Sequence, residues 1–566
     1  MTTSAERPAG GSTAADLLVF CAYAVLAVLF TWPLAWHLAT VVPYDLGDPL
    51  GYGWILWWNS QATPLTDAWL NAPIFFPTGG AIVFQDAFLG VWPITTALIR
   101  FGVTPLATLN LLIIASFALS AFAAYLLCAK VSNDRWAAFA GGIVYGFAIF
   151  RVAHLGHLHV LLTFWLPLVF LSLHTYLASK RFRWLSIASM CWAMQGLTSG
   201  YFLVYGTLLV GLWALFFFRS QVVDYAKLLG ALLLGLIAIW PVLGLYRQVH
   251  AAFGFRRGIS EAEGYSADVV SIFHAPPVLA VWGRLLGGDD NEQQLFPGLI
   301  LSVVVVAGIA ASSHWAGRRW SRVTSACVGL AGMFAVASLL ATQPYKVLSW
   351  AWLSLLAAAA TSPPLRRVVA ARSVAGFYAF AALGLWILAL GPTVRFLGRR
   401  IWYHAPYWWF ALLPGADAVR VPARLWLVVM LALAVVATHV LAKLRARRPG
   451  TARPLVVAVC ASMLLEAWPG QIRRPTPPDR FAMLENPSDR RPVLELPLDA
   501  ATNYAAMYRG MFHRRPLING ESGYAPTSFL YLMSGLKNGE ARVLRVFAER
   551  TTFQVVCTRA QPMRPD

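Results

Sequence analysis

Cysteine is scarce in this chain, and charge is sparse. Six cysteines occur among 566 residues, none in a Cys-x-x-Cys arrangement, and five of them lie inside apolar runs. That pattern excludes a disulfide framework or a zinc site as the basis of the fold. Charged residues make up 12% of the chain, well below the level of an ordinary soluble domain. No internal repeat is visible, which disfavours a transporter built from inverted repeats.

Apolar residues are what the chain has in excess. They account for 58% of the residues, including 24 tryptophans, which is more than a soluble domain can bury. The first apolar run, 17–37, has no small-residue cleavage site and is followed by many others, so we expect an anchor rather than a removed signal. The net charge of +20 is spread in short clusters between the runs, so the expected partner is a lipid bilayer and not nucleic acid.

The apolar runs predict an all-α polytopic membrane protein. With about 20 apolar residues per crossing, we predict about thirteen transmembrane helices. The predicted spans are 17–37, 105–128, 136–150, 158–177, 184–197, 201–218, 228–246, 296–311, 323–341, 347–360, 374–390, 425–442 and 454–468.

Basic residues occupy every second connection, which predicts the orientation. These clusters are Lys130 and Arg135; Lys180, Arg181 and Arg183; Arg219 and Lys227; Arg318, Arg319 and Arg322; Arg366, Arg367 and Arg372; and Lys443, Arg445, Arg447, Arg448 and Arg453. Placed in the cytoplasm, they predict a bacterial-type plasma (inner) membrane protein with a cytoplasmic tail (1–16) and a transmembrane domain (17–468). One exception, Arg395, Arg399 and Arg400, is left outside.

Two regions outside the membrane follow from that orientation. The first external loop, 38–86, contains an interfacial helix at 49–62, and a second interfacial helix, 87–101, follows it directly. The second helix must not span the membrane if the basic clusters are to lie in the cytoplasm. The C-terminal segment, 469–566, reads as a small α/β-like external domain, with short strands at 492–498, 516–518 and 553–557 between breakers.

The first loop carries the leading catalytic candidates. Asp48, with Asp45 second, lies where the first span meets water, and a carboxylate there suits a general base. Trp54, Trp57 and Trp58 recur at helical spacing, as in a helix with its aromatic face in lipid. Two alternatives stay open: Asp48 precedes a proline and is well suited to cap the helix that begins there, and Asp45 reads equally as a solvated loop residue.

Several basic residues are candidates for binding a donor phosphate. Arg151, His154, His157 and His159 fall within nine positions at the end of one predicted span, and guanidinium and imidazole groups suit phosphate. Their spacing does not match a zinc site, and a headgroup-level collar is the simpler alternative.

Other charged residues near the outer ends of spans are weaker candidates. Arg420 and Arg424 flank a helix mouth, where they could hold a lipid phosphate or serve as interface anchors. Asp86, at the start of a predicted helix, suits capping as well as chemistry. Glu261 and Asp268 fit solvated loop charges best. No cofactor follows from these residues, and a divalent metal has no ligand pattern to support it.

With these residues in view, the chain resembles the GT-C superfamily of membrane glycosyltransferases, and within it an uncharacterised bacterial branch. The motifs that carry the resemblance are Leu46-Gly47-Asp48-Pro49-Leu50, Phe75-Phe76-Pro77, Arg151-Val-Ala-His154-Leu-Gly-His157, Tyr265-Ser-Ala-Asp268 and Arg420-Val-Pro-Ala-Arg424. The superfamily has an Asp-Asp or Asp-Glu pair where this chain has Asp48-Pro49, and many members have His-Pro-Pro where it has Asp86. The Trp-Trp-Asp signature of oligosaccharyltransferases is absent, so neither a metal nor a particular sugar is implied.

The resemblance implies a hexosyl- or pentosyltransferase. It would move a sugar, with inversion, from a polyprenyl-phosphate donor to a hydroxyl acceptor on the outer face of the membrane. A transporter or lipid-linked-sugar flippase is the alternative from another class, and it predicts ionisable residues deep within spans. An acyl- or phosphotransferase would instead depend on His154, His157 or His159. A scaffold would leave the acidic loop unexplained.

Overall fold

Helices make up most of the chain. The computed structural model describes residues 13–288, 290–311, 322–449, 452–486, 488–540, 542–549 and 551–558. Its α-helices are α1 Thr13–Phe30, α2 Asp48–Gln61, α3 Asp67–Leu70, α4 Trp92–Arg100, α5 Pro105–Ser132, α6 Arg135–Gly146, α7 Ile149–Ala153, α8 Leu158–Leu161, α9 Trp165–Ser179, α10 Arg183–Thr198, α11 Gly200–Phe218, α12 Val222–Phe253, α13 Ile259–Gly264, α14 Gly283–Leu286, α15 Leu299–Ala311, α16 Arg322–Ser338, α17 Pro344–Thr361, α18 Pro363–Ala370, α19 Val374–Ala389, α20 Pro406–Phe410, α21 Leu425–Arg447, α22 Ala452–Ala467, α23 Ala500–His513, α24 Thr527–Lys537 and α25 Arg542–Ala548. Short 3₁₀ segments are Leu34–Trp36, Ala81–Phe84, Val269–Phe273, Asn291–Gln293, Ala416–Ala418, Pro422–Arg424 and Ala482–Leu484. The strands are β1 Thr393–Phe396, β2 Arg399–Tyr403, β3 Val493–Leu496 and β4 Gln554–Cys557.

Every predicted apolar segment falls on one or more of these helices, which confirms the helical, polytopic class. Seven helical segments within the described residues are long and apolar enough to cross a membrane. They are Thr13–Phe30, Pro105–Ser132, Arg135–Ala153, Leu158–Ser179, Gly200–Phe218, Val222–Phe253 and Pro422–Arg447. The helices at the other predicted spans do not meet both criteria of length and apolar character, so the count of about thirteen crossings stays a prediction. Arg318 and Arg319 lie outside the described residues.

Small residues bring the central helices into close contact. A Cβ atom added at Gly146 of α6 would lie 2.3 Å from Ala121 Cβ of α5, and one at Gly141 would lie 2.3 Å from Thr438 Oγ1 of α21. Such approaches are open only to glycine, and small residues at helix contacts are typical of membrane proteins. Helix α21 is buried along most of its length between α6, α19 and α5. These contacts hold the central helices together, and the loops that line the cavity extend from this bundle.

Helix α2 does not place its aromatic face in lipid, contrary to the prediction. Trp54, Ile55 and Trp57 are only 1%, 0% and 6% exposed, and α2 packs against α4, α5 and α23. Helical spacing in the sequence indicates that a helix has an apolar face, but it does not indicate whether lipid or protein lies against that face. For α2 the face packs against other helices of the protein. Helix α4 has nine residues, a rise of about 14 Å, which is too short to cross a bilayer of about 30 Å.

The C-terminal segment forms a small α/β unit. The strands predicted at 492–498 and 553–557 correspond to β3 and β4. These two strands pair in parallel, with Val493 opposite Gln554. The third predicted strand, 516–518, contributes a single bridge from Leu517 to Val493. The unit is joined to the first loop by backbone hydrogen bonds from Phe76 N to Leu517 O (2.9 Å) and from Leu517 N to Pro73 O (3.0 Å).

A two-stranded hairpin in the region 391–424 was not predicted. Strands β1 and β2 are antiparallel, and Arg400 of β2 forms an ion pair of 3.0 Å with Glu263. Arg395 also donates to the Glu263 carbonyl. Arg395 and Arg400, two of the three arginines that the predicted orientation places outside, therefore bind the loop that contains Glu263. These contacts explain why basic residues occur in this region.

Candidate active site

A large cavity, with a volume of about 2070 Å³, lies between α10, α11, α12 and the loops. One part, here called the apolar trough, is formed by residues of α10, α11 and α12. The trough residues are Trp192, Leu203, Val204, Leu208, Leu212, Leu215, Leu236, Ile239, Trp240 and Leu243. The other part is its polar end. The polar-end residues are Asp48, Tyr52, Gln85, Asp86, His157, His159, Tyr201, Arg247, His250, Arg256, Arg257, Arg420, Arg424, Tyr504, Glu521 and Ser522.

Asp48 faces the polar end and does not cap its helix. Gly47 is the N-cap of α2 and no side chain bonds to the exposed amides there, so the capping alternative fails. Instead the Asp48 carboxylate accepts hydrogen bonds from Tyr52 Oη (3.1 Å, to Oδ2) and from Tyr504 Oη (to Oδ1). His157 Nε2 lies 3.5 Å from Oδ2, and the Asp48 side chain is 37% exposed. Asp48 is therefore held in place and still open to the cavity.

Asp45 shapes the turn that leads to Asp48. Its Oδ1 accepts the Gly47 backbone N–H at 2.8 Å, and it is not among the residues that line the cavity. Burial raises the pKa of the Asp45 carboxyl, although the Gly47 amide opposes the shift. These contacts support a structural role for Asp45.

Arg151 is buried inside the bundle, away from the cavity. Its Nε, Nη1 and Nη2 atoms donate to Tyr145 O (3.0 Å), Leu161 O (2.7 Å) and Thr163 Oγ1 (2.7 Å). The helices are interrupted here, between α6 and α9, so carbonyls are free of helical partners and need donors. A guanidinium group occupied in this way has no donor directed toward a phosphate in the cavity, and the predicted phosphate contact of Arg151 finds no support.

The three predicted histidines occupy different positions. His154 is buried, with Nε2 3.2 Å from Glu292 Oε2. His157 and His159 both line the cavity. Burial, and then the Arg424 charge, lower the pKa of His157 to about 4, so this imidazole is neutral at pH 7. The neutral ring beside Asp48 is a hydrogen-bonding group and not a cation for phosphate.

A directed chain of hydrogen bonds connects Arg424 to Asp48. Arg424 Nη1 lies 2.6 Å from His159 Nε2, and a guanidinium can only donate, so Nε2 accepts. His159 Nδ1 therefore carries the proton and donates to Tyr52 Oη at 2.9 Å. The Tyr52 hydroxyl is then free to donate to Asp48.

Glu292 holds Arg424, the first member of this chain of hydrogen bonds, in place. Glu292 was not among the predicted site residues. Its Oε1 accepts from Arg424 Nε (3.0 Å) and Nη2 (2.6 Å). Burial raises the pKa of the Glu292 carboxyl, but Arg424 and His154 more than offset this and hold it well below its usual value. Glu292 lies in a short 3₁₀ turn, Asn291–Gln293, that Asp290 caps. One acidic residue among several in a polar loop gives no sequence signal for a buried ion pair.

Arg420 is also paired. Glu261 Oε1 lies 2.9 Å from Arg420 Nη1 and 2.8 Å from Arg257 Nη1. Arg257 stacks on Tyr524, 3.8 Å from the ring centroid. Glu261 thus joins two cavity-lining arginines and is not itself a lining residue.

Two further arginines line the polar end with no partner. Arg247, near the end of α12, and Arg256, just after it, are exposed and form no hydrogen bond or ion pair within the described part of the chain. Neither residue was among the predicted candidates. The available signal was their position after an apolar run, together with the Arg256-Arg257 pair.

The remaining candidates serve mainly as caps. Asp86 lines the cavity, and its Oδ1 accepts Gly200 N (2.9 Å) at the start of α11, whereas the predicted helix after it begins only at Trp92. Burial raises the pKa of Asp86 to about 6. Asp268 accepts from Val270 N (3.0 Å) and Gly398 N (2.8 Å), so it joins its loop to the hairpin. Among the described residues, no group of three or more His, Cys, Asp or Glu is arranged to hold a metal ion.

Comparison with known proteins gives matches among solved structures alone. No protein-family model and no curated protein matches the chain. The chain is similar to the oligosaccharyltransferase of Archaeoglobus fulgidus, solved in the apo form and tethered to an acceptor peptide containing the NVT sequon. For the tethered form the identity is 15% and the TM-score 0.35, over 91% of this chain and 65% of the other.

ArnT from Cupriavidus metallidurans, in the apo state, is similar at 14% identity and a TM-score of 0.34, over 89% of this chain and 86% of that one. The chain spans 65% of the length of the oligosaccharyltransferase.

Proposed function

We propose that this protein transfers a sugar from a polyprenyl-phosphate donor to a hydroxyl acceptor on the outer face of a plasma membrane. The observation that carries the proposal is one cavity that joins an apolar trough to a polar end containing an accessible carboxylate, Asp48. A donor of this class is itself divided into an apolar chain and a charged, hydroxylated head, and the two parts of the cavity match those two parts.

The trough suits the polyprenyl chain. Leu212, Leu215 and Trp240 line it and are exposed, on helices α11 and α12 that are apolar enough to span. Exposed apolar side chains on helices that span the membrane would face lipid, which would let a lipid chain enter from the side. The volume of about 2070 Å³ exceeds the roughly 300–1,000 Å³ of a pocket for one small ligand. It therefore has room for donor and acceptor together.

The donor phosphate is best served by Arg247 and Arg256. Arg424 is neutralised by Glu292, and Arg420 shares Glu261 with Arg257. Arg247 and Arg256 keep both their charge and their donors free, and charged donors bind phosphate strongly. We therefore assign the donor phosphate to these two residues and not to Arg151. Arg420, Arg424 and His159 also line the polar end.

The reaction needs one base and one leaving group. The acceptor oxygen attacks the anomeric carbon as its proton passes to the Asp48 carboxylate. The bond between that carbon and the phosphate oxygen breaks, and its electron pair stays on the phosphate. Attack from the side opposite the phosphate inverts the anomeric centre. General-base assistance of this kind is worth ~10²–10⁴-fold, and cations at the leaving phosphate stabilise its developing charge.

Unsatisfied polar groups at the polar end suit a hydroxylated substrate. Gln85 Nε2, His157 Nδ1 and Ser522 Oγ are buried atoms with no hydrogen-bond partner in the described residues, and all three residues line the cavity. Buried polar atoms are costly when unpaired. Sugar or acceptor hydroxyls would supply the missing partners.

The test is loss of sugar from the lipid donor. Membranes that contain the protein and its natural acceptors are given a panel of polyprenyl-phosphate-linked hexoses and pentoses, and the Asp48→Asn variant is compared with the wild type. Asp67→Asn, an exposed acid outside the cavity, is the matched control. We expect turnover to fall ~10²–10⁴-fold in Asp48→Asn alone. Undiminished turnover in a folded Asp48→Asn protein would remove Asp48 from the reaction.

A further inference from the structure

The C-terminal unit reaches into the cavity beside the proposed base. Tyr504 of α23 and the segment 521–524 line the polar end. Helix α23 packs on α2, which begins with Asp48. The residues nearest the proposed base thus come from both ends of the chain.

Gly51 of α2 makes room for the Tyr504 ring, and Gly47 lies at ordinary contact distance on its other edge. A Cβ atom added at Gly51 would lie 3.0 Å from Tyr504 Cε1, and one added at Gly47 would lie 3.7 Å from Cε2. At Gly53, on the same helix, an added Cβ would meet nothing within 4 Å. The ring therefore sits directly on the Gly51 backbone, and that contact sets how close its hydroxyl comes to Asp48.

The Tyr504 hydroxyl acts as a donor. Burial, and then the neighbouring Asp48 charge, raise the pKa of Tyr504 well above its usual value, so the hydroxyl keeps its proton. It donates to Asp48 Oδ1, while Tyr52 donates to Oδ2 at 3.1 Å. A carboxylate held at both oxygens by donors from different elements cannot turn freely about its Cβ–Cγ bond. One donor alone would leave that rotation open.

We propose that Tyr504 is a positioning residue, which orients the Asp48 carboxylate so that the C-terminal unit completes the active site. This inference rests on the proposed function. It gives the C-terminal unit a direct part in the reaction, because the unit supplies a side chain that orients the base. Orientation of a base affects the chemical step, because a misplacement of about 1 Å can cost ~10²-fold in rate.

A purely structural role for the Tyr504 hydroxyl makes a different prediction. The C-terminal unit is already attached by backbone hydrogen bonds at Phe76 and Leu517 and by another from Tyr44 N to Arg473 O (2.9 Å). Removing one hydroxyl leaves these contacts and the ring packing intact. A docking bond would therefore affect stability, and a positioning bond would affect kcat.

The first experiment compares Tyr504→Phe with Tyr508→Phe, the same change one turn along α23 at a residue that does not line the cavity. For Tyr504→Phe we expect kcat to fall about 10- to 100-fold with the donor KM and the thermal midpoint unchanged. Tyr508→Phe should retain kcat. Unchanged kcat in Tyr504→Phe, or a loss that Tyr508→Phe shares, would overturn the inference.

The second experiment moves the ring without touching its hydroxyl. Gly51→Ala should lower kcat as Tyr504→Phe does, while Gly53→Ala should keep wild-type kcat, since only the first added methyl meets Tyr504. Equal activity of the two alanine variants would contradict the inference. If Asp48→Asn abolishes turnover and the Tyr504 and Gly51 variants do not, the inference fails and the proposed function stands. If Asp48→Asn keeps full turnover, Asp48 is not the base and the inference fails with it. If the wild type turns over none of the lipid-linked sugars, the proposed function itself fails.

Discussion

Removing Arg247 and Arg256 together should weaken donor binding about a hundredfold. Both side chains line the cavity and have no partner among the described residues, so each can give its charge and donors to the phosphate. A hydrogen bond to a charged group contributes ~1.5–3 kcal/mol. Because these side chains are exposed, we take the lower end, ~1.5 kcal/mol, which corresponds to ~10-fold in affinity for each residue. Because both residues contact one phosphate, coupling between them modifies the simple sum, and the double change should cost on the order of 100-fold.

The assay is the donor KM in vesicles, with the double variant Arg247→Ala/Arg256→Ala set beside Arg284→Ala. Arg284 is an exposed arginine that does not line the cavity, so it controls for the loss of positive charge. Exposed charges are screened by salt. Donor KM of the wild type should therefore rise with ionic strength, and that of the double variant should rise less. A donor KM equal to that of Arg284→Ala, at low and high salt alike, would refute the reasoning.

Two further predictions follow from buried groups. Arg151→Lys should lower the thermal midpoint and leave donor KM unchanged, because a lysine cannot reach three acceptors as the Arg151 guanidinium does; a raised KM at full stability would contradict the structural role. For Asp86, burial raises the folded-state pKa from 3.8 to about 6, so the folded protein holds a proton that the unfolded chain releases. The Asp86 contribution to stability therefore falls as pH rises from about 4 to about 6 and is constant above that. When the thermal midpoint is measured between about pH 4 and about pH 6, Asp86→Asn should lack this fall. A variant whose thermal midpoint depends on pH as the wild type's does would contradict the raised pKa of Asp86.

Much of the fold could be predicted because lipid imposes a simple rule. A segment that crosses a bilayer must satisfy its backbone internally, so long apolar runs become helices. Helix α5 shows the agreement: the predicted run 105–128 lies within Pro105–Ser132, which Thr104 caps by accepting Ala107 N at 3.2 Å. The neighbour of an apolar face follows no such rule. Trp54 and Trp57 of α2 therefore read as lipid-facing although protein covers them.

The site was only partly predictable, for a related reason. The place of Asp48 at the cavity could be predicted because it lies in the loop that follows the first apolar run. Its partner Tyr504 lies 456 positions away, and Glu292 reaches Arg424 across 132 positions. Local patterns do not contain such pairings. Arg151 shows the converse error: it is close in sequence to the cavity-lining His157, yet it faces the interior of the bundle.

A structure of the protein with a polyprenyl phosphate bound would test the central claim most directly. We predict that the polyprenyl chain lies in the apolar trough between α11 and α12 and that the phosphate is in hydrogen-bond contact with Arg247 or Arg256. The Asp48 carboxylate should face the open space beside the phosphate, held by Tyr52 and Tyr504. A phosphate bound elsewhere, or an Asp48 carboxylate turned away from it with no space for an acceptor between them, would contradict the account.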